Sequence, residues 1–140
     1  MKIYLSNNKP ENSEHTHVSN IVSLDNIVNN SEATEIVVDN FLCQFSIGEL
    51  GKVLEKILSK LRLNSTLVIK DKDIDIVCMK HVRGDWSLAE VNSNLFQSGA
   101  IKSFLNIETI QSNLPSRFQV ERSSLDQQSG EFLIIARRSK

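Results

Sequence analysis

Residues 34 to 70 restrict the fold of this chain more than any other stretch. Thr34-Glu35-Ile36-Val37-Val38-Asp39 is a compact β-branched run without alternation, which suits a central strand covered on both faces. Ser46 and Glu49 then stand at the spacing of a capping box, with Phe45 placed to pack on Leu50 as a hydrophobic staple. Ile47, Leu50, Val53, Leu54, Ile57, Leu58 and Leu61 recur every three or four residues, one apolar stripe on a helix of about four turns. Lys60 and Arg62 suit the negative pole of that helix, and Asn64 can close it in a left-handed conformation. Thr66-Leu67-Val68-Ile69-Lys70 is again strand-like. A strand, a helix and a strand in this order predict a parallel, right-handed crossover.

The flanking segments extend the same pattern. Lys2 to Leu5 reads as a first strand, and Ser6 to Thr16 as a polar loop around Pro10. His17 to Leu24 reads as a second strand, followed by a turn or single helical turn at Asp25 to Asn30. Ile74 to Met79 is apolar and undecided between strand and helix. Ser87 and Glu90 form a second capping-box pair ahead of Leu88, Val91 and Leu95. Asn106 caps a short helix carrying Ile107, Ile110 and Leu114, which Pro115 ends. Phe118 to Arg122 and Phe132 to Ala136, joined by a turn at Asp126 to Gly130, predict an antiparallel pair.

At this point the chain resembles a class I S-adenosylmethionine-dependent methyltransferase, from about Thr34 to the end. In that family a strand runs into a "vLEHf" segment. Here Glu35-Ile36-Val37-Val38-Asp39-Asn40-Phe41-Leu42-Cys43-Gln44-Phe45 fits the pattern, with Cys43-Gln44 in place of Glu-His. The family's "LKPGGxLvI" is matched in register by Leu61-Arg62-Leu63-Asn64-Ser65-Thr66-Leu67-Val68-Ile69, with Leu63-Asn64-Ser65 in place of Pro-Gly-Gly. The tail resembles the family's last helix and terminal hairpin. The expected fold is α/β: a shortened Rossmann-like, methyltransferase-type sheet of about six strands with a C-terminal antiparallel hairpin, in one domain over residues 1–140. Helices are expected on both faces, with one face thinly covered.

The family's cofactor motif is a glycine-rich turn after the first strand. Glycine serves there because a Cβ blocks both the tight turn and the close approach of backbone to ligand. The corresponding segment here is Leu5-Ser6-Asn7-Asn8-Lys9-Pro10, and the five glycines stand at 48, 51, 84, 99 and 130. No realignment of the first 47 residues supplies the motif. A parallel crossover with its helix takes at least about 10–12 residues, so the polar stretch from Ser6 to Thr16 has little room for one. The family's first helix, second strand and ribose-holding acidic residue read as cut away.

Two functions from different classes follow. One is a non-catalytic, methyltransferase-like domain acting as a binding or structural subunit, with no cofactor. The other is an S-adenosylmethionine-dependent methyltransferase with a non-standard cofactor site, or one completed by another chain. In that case Ser6, Asn7, Asp25, Asp39, Asn40 and Phe41 are the positional equivalents of the family's cofactor-contacting loops. No residue is assigned a catalytic role. A third class, an unrelated small-ligand binder, stays open.

Other features give exclusions. Sixteen Lys and Arg against 17 Asp and Glu leave a net charge of −1, so nothing favours nucleic acid or an anionic membrane. The apolar stretch in Met1 to Asn8 is too short for a signal peptide, and no run approaches a membrane span. Both favour a cytoplasmic protein. Cys43 and Cys78 read as reduced, buried thiols. His15 and His17 read as exposed loop residues rather than a metal pair. Asp71-Lys72-Asp73-Ile74-Asp75 opens like a calcium loop but has Ile76 where glycine belongs, so it reads as a solvated strand end. Trp86 and Phe96 read as packing residues. A thinly covered sheet face favours a homo-oligomer or a protein partner.

Overall fold

A computed structural model describes residues 1–10, 14–96 and 101–140. Residues 11–13, in the middle of the expected polar loop, lie outside the described residues. Six strands form one sheet: β1 (Lys2–Leu5), β2 (Thr16–Val18), β3 (Ala33–Asp39), β4 (Leu61–Lys72), β5 (Phe118–Asp126) and β6 (Glu131–Arg138). Their spatial order is β2-β1-β3-β4-β6-β5. The first four strands run parallel; β6 is antiparallel to both β4 and β5. The helices are α1 (Leu24–Ile27), α2 (Leu50–Lys60), α3 (Ile74–Val82), α4 (Leu88–Leu95) and α5 (Ile107–Asn113). The expected α/β class, strand number, parallel crossover and terminal hairpin are all present. No helix among the described residues is long and apolar enough to cross a membrane.

Register explains which side of the sheet is the core. Ile3, Ile36, Leu67 and Ala136 lie in one row across β1, β3, β4 and β6, and Leu5, Val38, Ile69 and Ile134 in another. All eight are buried in one cluster with Leu24 of α1, Leu50, Leu54, Ile57 and Leu58 of α2 and Ile110 of α5. The opposite row, Tyr4, Val37, Val68 and Ile135, contributes nothing to that cluster. Tyr4, Val68, Leu133 and Ile135 are only half-buried. The main core thus lies on one face, and in the opposite row only Val37 is buried.

Several local expectations are corrected. The second strand is not cut away, although only Thr16–Val18 pairs with β1. It stops there because the Asn20 side chain accepts from Val22 N, and the Asn20 carbonyl accepts from Ser23 N, curling the chain into α1. The first turn of the amphipathic stretch, Ile47–Glu49, is a 3-10 turn ahead of α2. Ser46 Oγ donates to Glu49 Oε1 at 2.8 Å, so the Ser46 side chain does not cap the backbone there. Helix α2 ends at Lys60, and Leu61 already belongs to β4. Asn64 does adopt the left-handed conformation, at φ 65°, but inside the irregular start of β4. There the pairing jumps from Ala33–Leu61 to Glu35–Thr66.

The undecided segment after β4 is helical because Asp73 caps it, accepting from Asp75 N at 3.0 Å and Ile76 N at 3.3 Å. Its other carboxylate oxygen accepts from Ile107 N at the start of α5. Asp71 and Asp73 are each 2% exposed, so the solvated strand end is corrected to a pair of buried carboxylates. The capping box at Ser87 and Glu90 and the Asn106 cap form as the spacing predicts. Cys43 is buried, whereas Cys78 is exposed on α3. Trp86 packs over the hairpin: a Cβ on Gly130, which has φ 73°, would lie 3.0 Å from its ring.

Candidate functional site

The chain leaves β1 for β2 on one side and returns as β3 on the other side of β1. In open parallel sheets that reversal opens a crevice beyond the carboxyl ends of the two strands. A cleft of about 390 Å³ lies there, lined by Tyr4, Asn7, Asn8, Lys9, Asp39 and Asn40 among others. Ser6, Pro10, Lys72 and Glu131 complete it.

The sequence-predicted residues divide into two groups. Ser6, Asn7, Asp39 and Asn40 come together in the cleft, because strands β1 and β3 are neighbours and end side by side. Phe41 and Asp25 do not line it. Phe41 is 1% exposed and packs edge-on against Phe45, with ring centroids 5.5 Å apart. Asp25 sits beside the carboxyl end of α2, in ion pairs with Lys56 at 2.7 Å and Lys60 at 2.8 Å. Hydrogen bonds from those two lysines hold its carboxyl below the usual range. Lys60 also donates to Asn30 Oδ1, so this cluster secures the approach to β3.

The cleft's electrostatics are balanced. Tyr4 donates its hydroxyl to Asp39 Oδ2 at 2.5 Å. Burial, then Asp39 as hydrogen-bond partner and charge, raise the tyrosine pKa, so the hydroxyl stays protonated near neutral pH. Lys72 Nζ lies 3.7 Å from Glu131 Oε1 and donates to the Ser129 carbonyl. Beneath this rim, Asp71 accepts from Cys43 N and Lys72 N. Burial pushes its pKa up to about 7, against the lowering effect of those two bonds; Asp39 and Glu131 raise it further.

The loop after β1 carries side chains where a glycine turn would leave bare backbone. Ser6 Oγ donates to the Asn8 carbonyl, closing a tight local turn. Gln44 Nε2 donates to Asn7 Oδ1 at 2.5 Å, bridging this loop to the 3-10 turn at Leu42–Gln44 after β3. His17 Nε2 bonds the Ser6 carbonyl at 2.9 Å. His15 Nε2 lies 2.6 Å from Glu35 Oε2, with its ring edge-on to Tyr4. The His15 side chain is 9% exposed, which corrects the reading of an exposed loop histidine. No group of three metal-ligating side chains occurs among the described residues.

Sequence reasoning missed Tyr4, Gln44, Lys72 and Glu131. Tyr4 was legible as the residue alternating with Ile3 and Leu5 in β1. Gln44 touches the site through Asn7 from its place after β3, and Lys72 and Glu131 line the cleft through the β4–β6 register, which sets them opposite each other.

No family model and no curated protein matches the sequence. Solved structures do match the fold. An S-adenosylmethionine-dependent methyltransferase from Methanosarcina mazei superposes with a TM-score of 0.57 at 14% identity, over 98% of this chain and 82% of its own. The CurJ carbon methyltransferase gives 0.62 at 13% identity, over 90% of this chain and 35% of its own. The N-methyltransferase NodS from Bradyrhizobium japonicum, solved with S-adenosyl-L-homocysteine, gives 0.56 at 12% identity, over 91% of this chain and 56% of its own. The chain thus spans from about a third to about four-fifths of these proteins. Its fold is the methyltransferase fold, a Rossmann-like α/β sheet with the terminal hairpin.

Proposed function

We propose that this chain is a methyltransferase-like domain without methyl-transfer activity, working as a binding or structural subunit. The observation that carries this reading is the Asn7–Gln44 bridge over the end of β1. The family's cofactor needs bare, closely approaching backbone at that place. Here the side chains of Ser6, Asn7 and Asn8 follow the strand, and the bridge ties Asn7 down. Asp25, one of the positional equivalents of the family's cofactor-contacting residues, is engaged by Lys56 and Lys60 instead of lining the cleft. The residues present do not fit an adenosyl ligand held in the family's manner.

The second reading, a methyltransferase with a non-standard cofactor site, is favoured by the cleft itself. Its position at the strand reversal and its volume of about 390 Å³ suit a small ligand. Ser6, Asn7, Asp39 and Asn40 would then contact the ligand, and a second chain would supply what the loop lacks. Melting the protein with millimolar S-adenosylmethionine or S-adenosylhomocysteine separates the two readings. A ligand at 100 times its Kd stabilises the native state by about 2.7 kcal/mol, a shift of several degrees. The first reading expects no shift with either compound; a shift of several degrees with either would favour the second.

A further inference from the structure

The two edges of the sheet are unlike. One edge, β2, is three residues long and offers little to another strand. The other edge, β5, is nine residues long, and its Gln119 to Ser123 are all exposed. A long edge of unpaired backbone groups is a template for another strand. Val120 and Leu125 on it are 40% and 46% exposed.

The direction in which β5 side chains point has an internal symmetry. Val120, Ser123 and Leu125 stand opposite Ala136, Ile134 and Phe132, which face the helices. Phe118, itself buried in the core cluster, shares that face. Gln119 and Ser124 stand opposite Arg137 and Leu133, on the other face. The pairing shifts between Val120 and Arg122, leaving Glu121 as the extra residue of a bulge. The bulge puts two successive side chains on the same face: Glu121 reaches Arg137 at 2.6 Å, and Arg122 stands opposite Ile135. The order of faces therefore reads the same in both directions from the Glu121–Arg122 bond.

We propose that two copies of this chain pair antiparallel through β5, about a two-fold axis between Glu121 and Arg122, into one continuous sheet. Such an axis sets Glu121 against the partner's Arg122 and Arg122 against the partner's Glu121. It sets Phe118 against the partner's Leu125, Val120 against the partner's Ser123 and Gln119 against the partner's Ser124. Each pair lies on one face, as an antiparallel ladder requires. Opposite charges meet at the axis, and apolar side chains meet at both ends. A two-fold contact demands this self-complementarity, whereas an unrelated strand would meet Glu121 and Arg122 without matching charges. No β5 residue lines the cleft, so this pairing stands whether or not the cleft binds a ligand.

Sedimentation velocity at tens of micromolar tests the pairing. Wild type should sediment at twice 15.8 kDa. Arg122→Glu and Glu121→Arg each bring like charges together at the axis, and each should sediment at 15.8 kDa. Combining the two substitutions restores opposite charges across the axis and should restore the dimer. Circular dichroism melts identify any variant that fails to fold. Amide exchange on the wild type needs no variant: β5 amides should slow as the protein is concentrated. A monomeric wild type, a dimer that survives both single reversals, a swap that stays monomeric while folded, or β5 exchange independent of concentration would each overturn the proposal.

Discussion

The segment from Ala33 to Lys72 and the segment from Lys2 to Val18 each place two parallel strands in the same sheet, in opposite ways. The first crosses over through α2, whose Leu50, Leu54, Ile57 and Leu58 are fully buried against the sheet. The second crosses through about ten residues in which no helix is described, and polar bonds tie it down: His15 to Glu35, His17 to the Ser6 carbonyl, and Gln44 to Asn7. Apolar burial supplies most of the stability of a domain, while polar bonds each add about 1 kcal/mol net. The scaffold and the cleft are thus built from separable parts. A chain can keep the sheet while the loop beside the cleft changes its chemistry.

The pH response of Asp71 probes the strongest part of that contrast. Its folded pKa of about 7 lies above the ordinary 3.8 of an unfolded aspartate. Between those values the folded chain holds a proton that the unfolded chain has released. Stability therefore falls as pH rises from about 4 to about 7, by roughly 4 kcal/mol in all. Urea denaturation of wild type and Asp71→Asn across that range checks it. The variant should lose this part of the slope, and equal slopes would refute the assignment.

Truncating the crossover helix should have an effect nearly as large. Leu54→Ala leaves a cavity in a fully buried site, and a loss of about 3 kcal/mol is expected in the same urea assay. A loss below 1 kcal/mol would mean that the helix does not carry the sheet. The Asp73 cap comes next. Asp73→Ala releases two amides of α3 and the Ile107 amide of α5 together, so about 2 kcal/mol should be lost. Amide exchange should quicken at both helix starts; protection kept at Ile107 would break the claimed link. The smallest effect belongs to the cleft bridge. Gln44→Ala should lower stability by no more than about 1 kcal/mol. A larger loss would show that the loop beside the cleft supports the fold after all.

How much of this was legible in the sequence follows from which forces act locally. The helical stripe of α2, the box at Ser87 and Glu90, the Asn106 cap and the hairpin all depend on residues close in sequence. They could be read directly. Ser6, Asn7, Asp39 and Asn40 were found as positional equivalents of the family's cofactor-contacting loops, which follow the carboxyl ends of parallel strands. Asp25 was misplaced because nothing local reveals its pairing with Lys56 and Lys60 across to α2. Asp71 and Asp73 looked solvated because charge is a poor guide when backbone amides of distant residues, Cys43 and Ile107, supply the partners. The Glu121 bulge depends on the register of β5 against β6, which the alternation of residues alone could not give.

A crystal structure grown with millimolar S-adenosylhomocysteine tests the central claim most directly, because it looks at the loop and the ligand together. The account predicts Gln44 still bridged to Asn7 and no density for an adenosyl group beyond β1. Density for that group seated between Ser6 and Asp39, with the bridge broken, would contradict it.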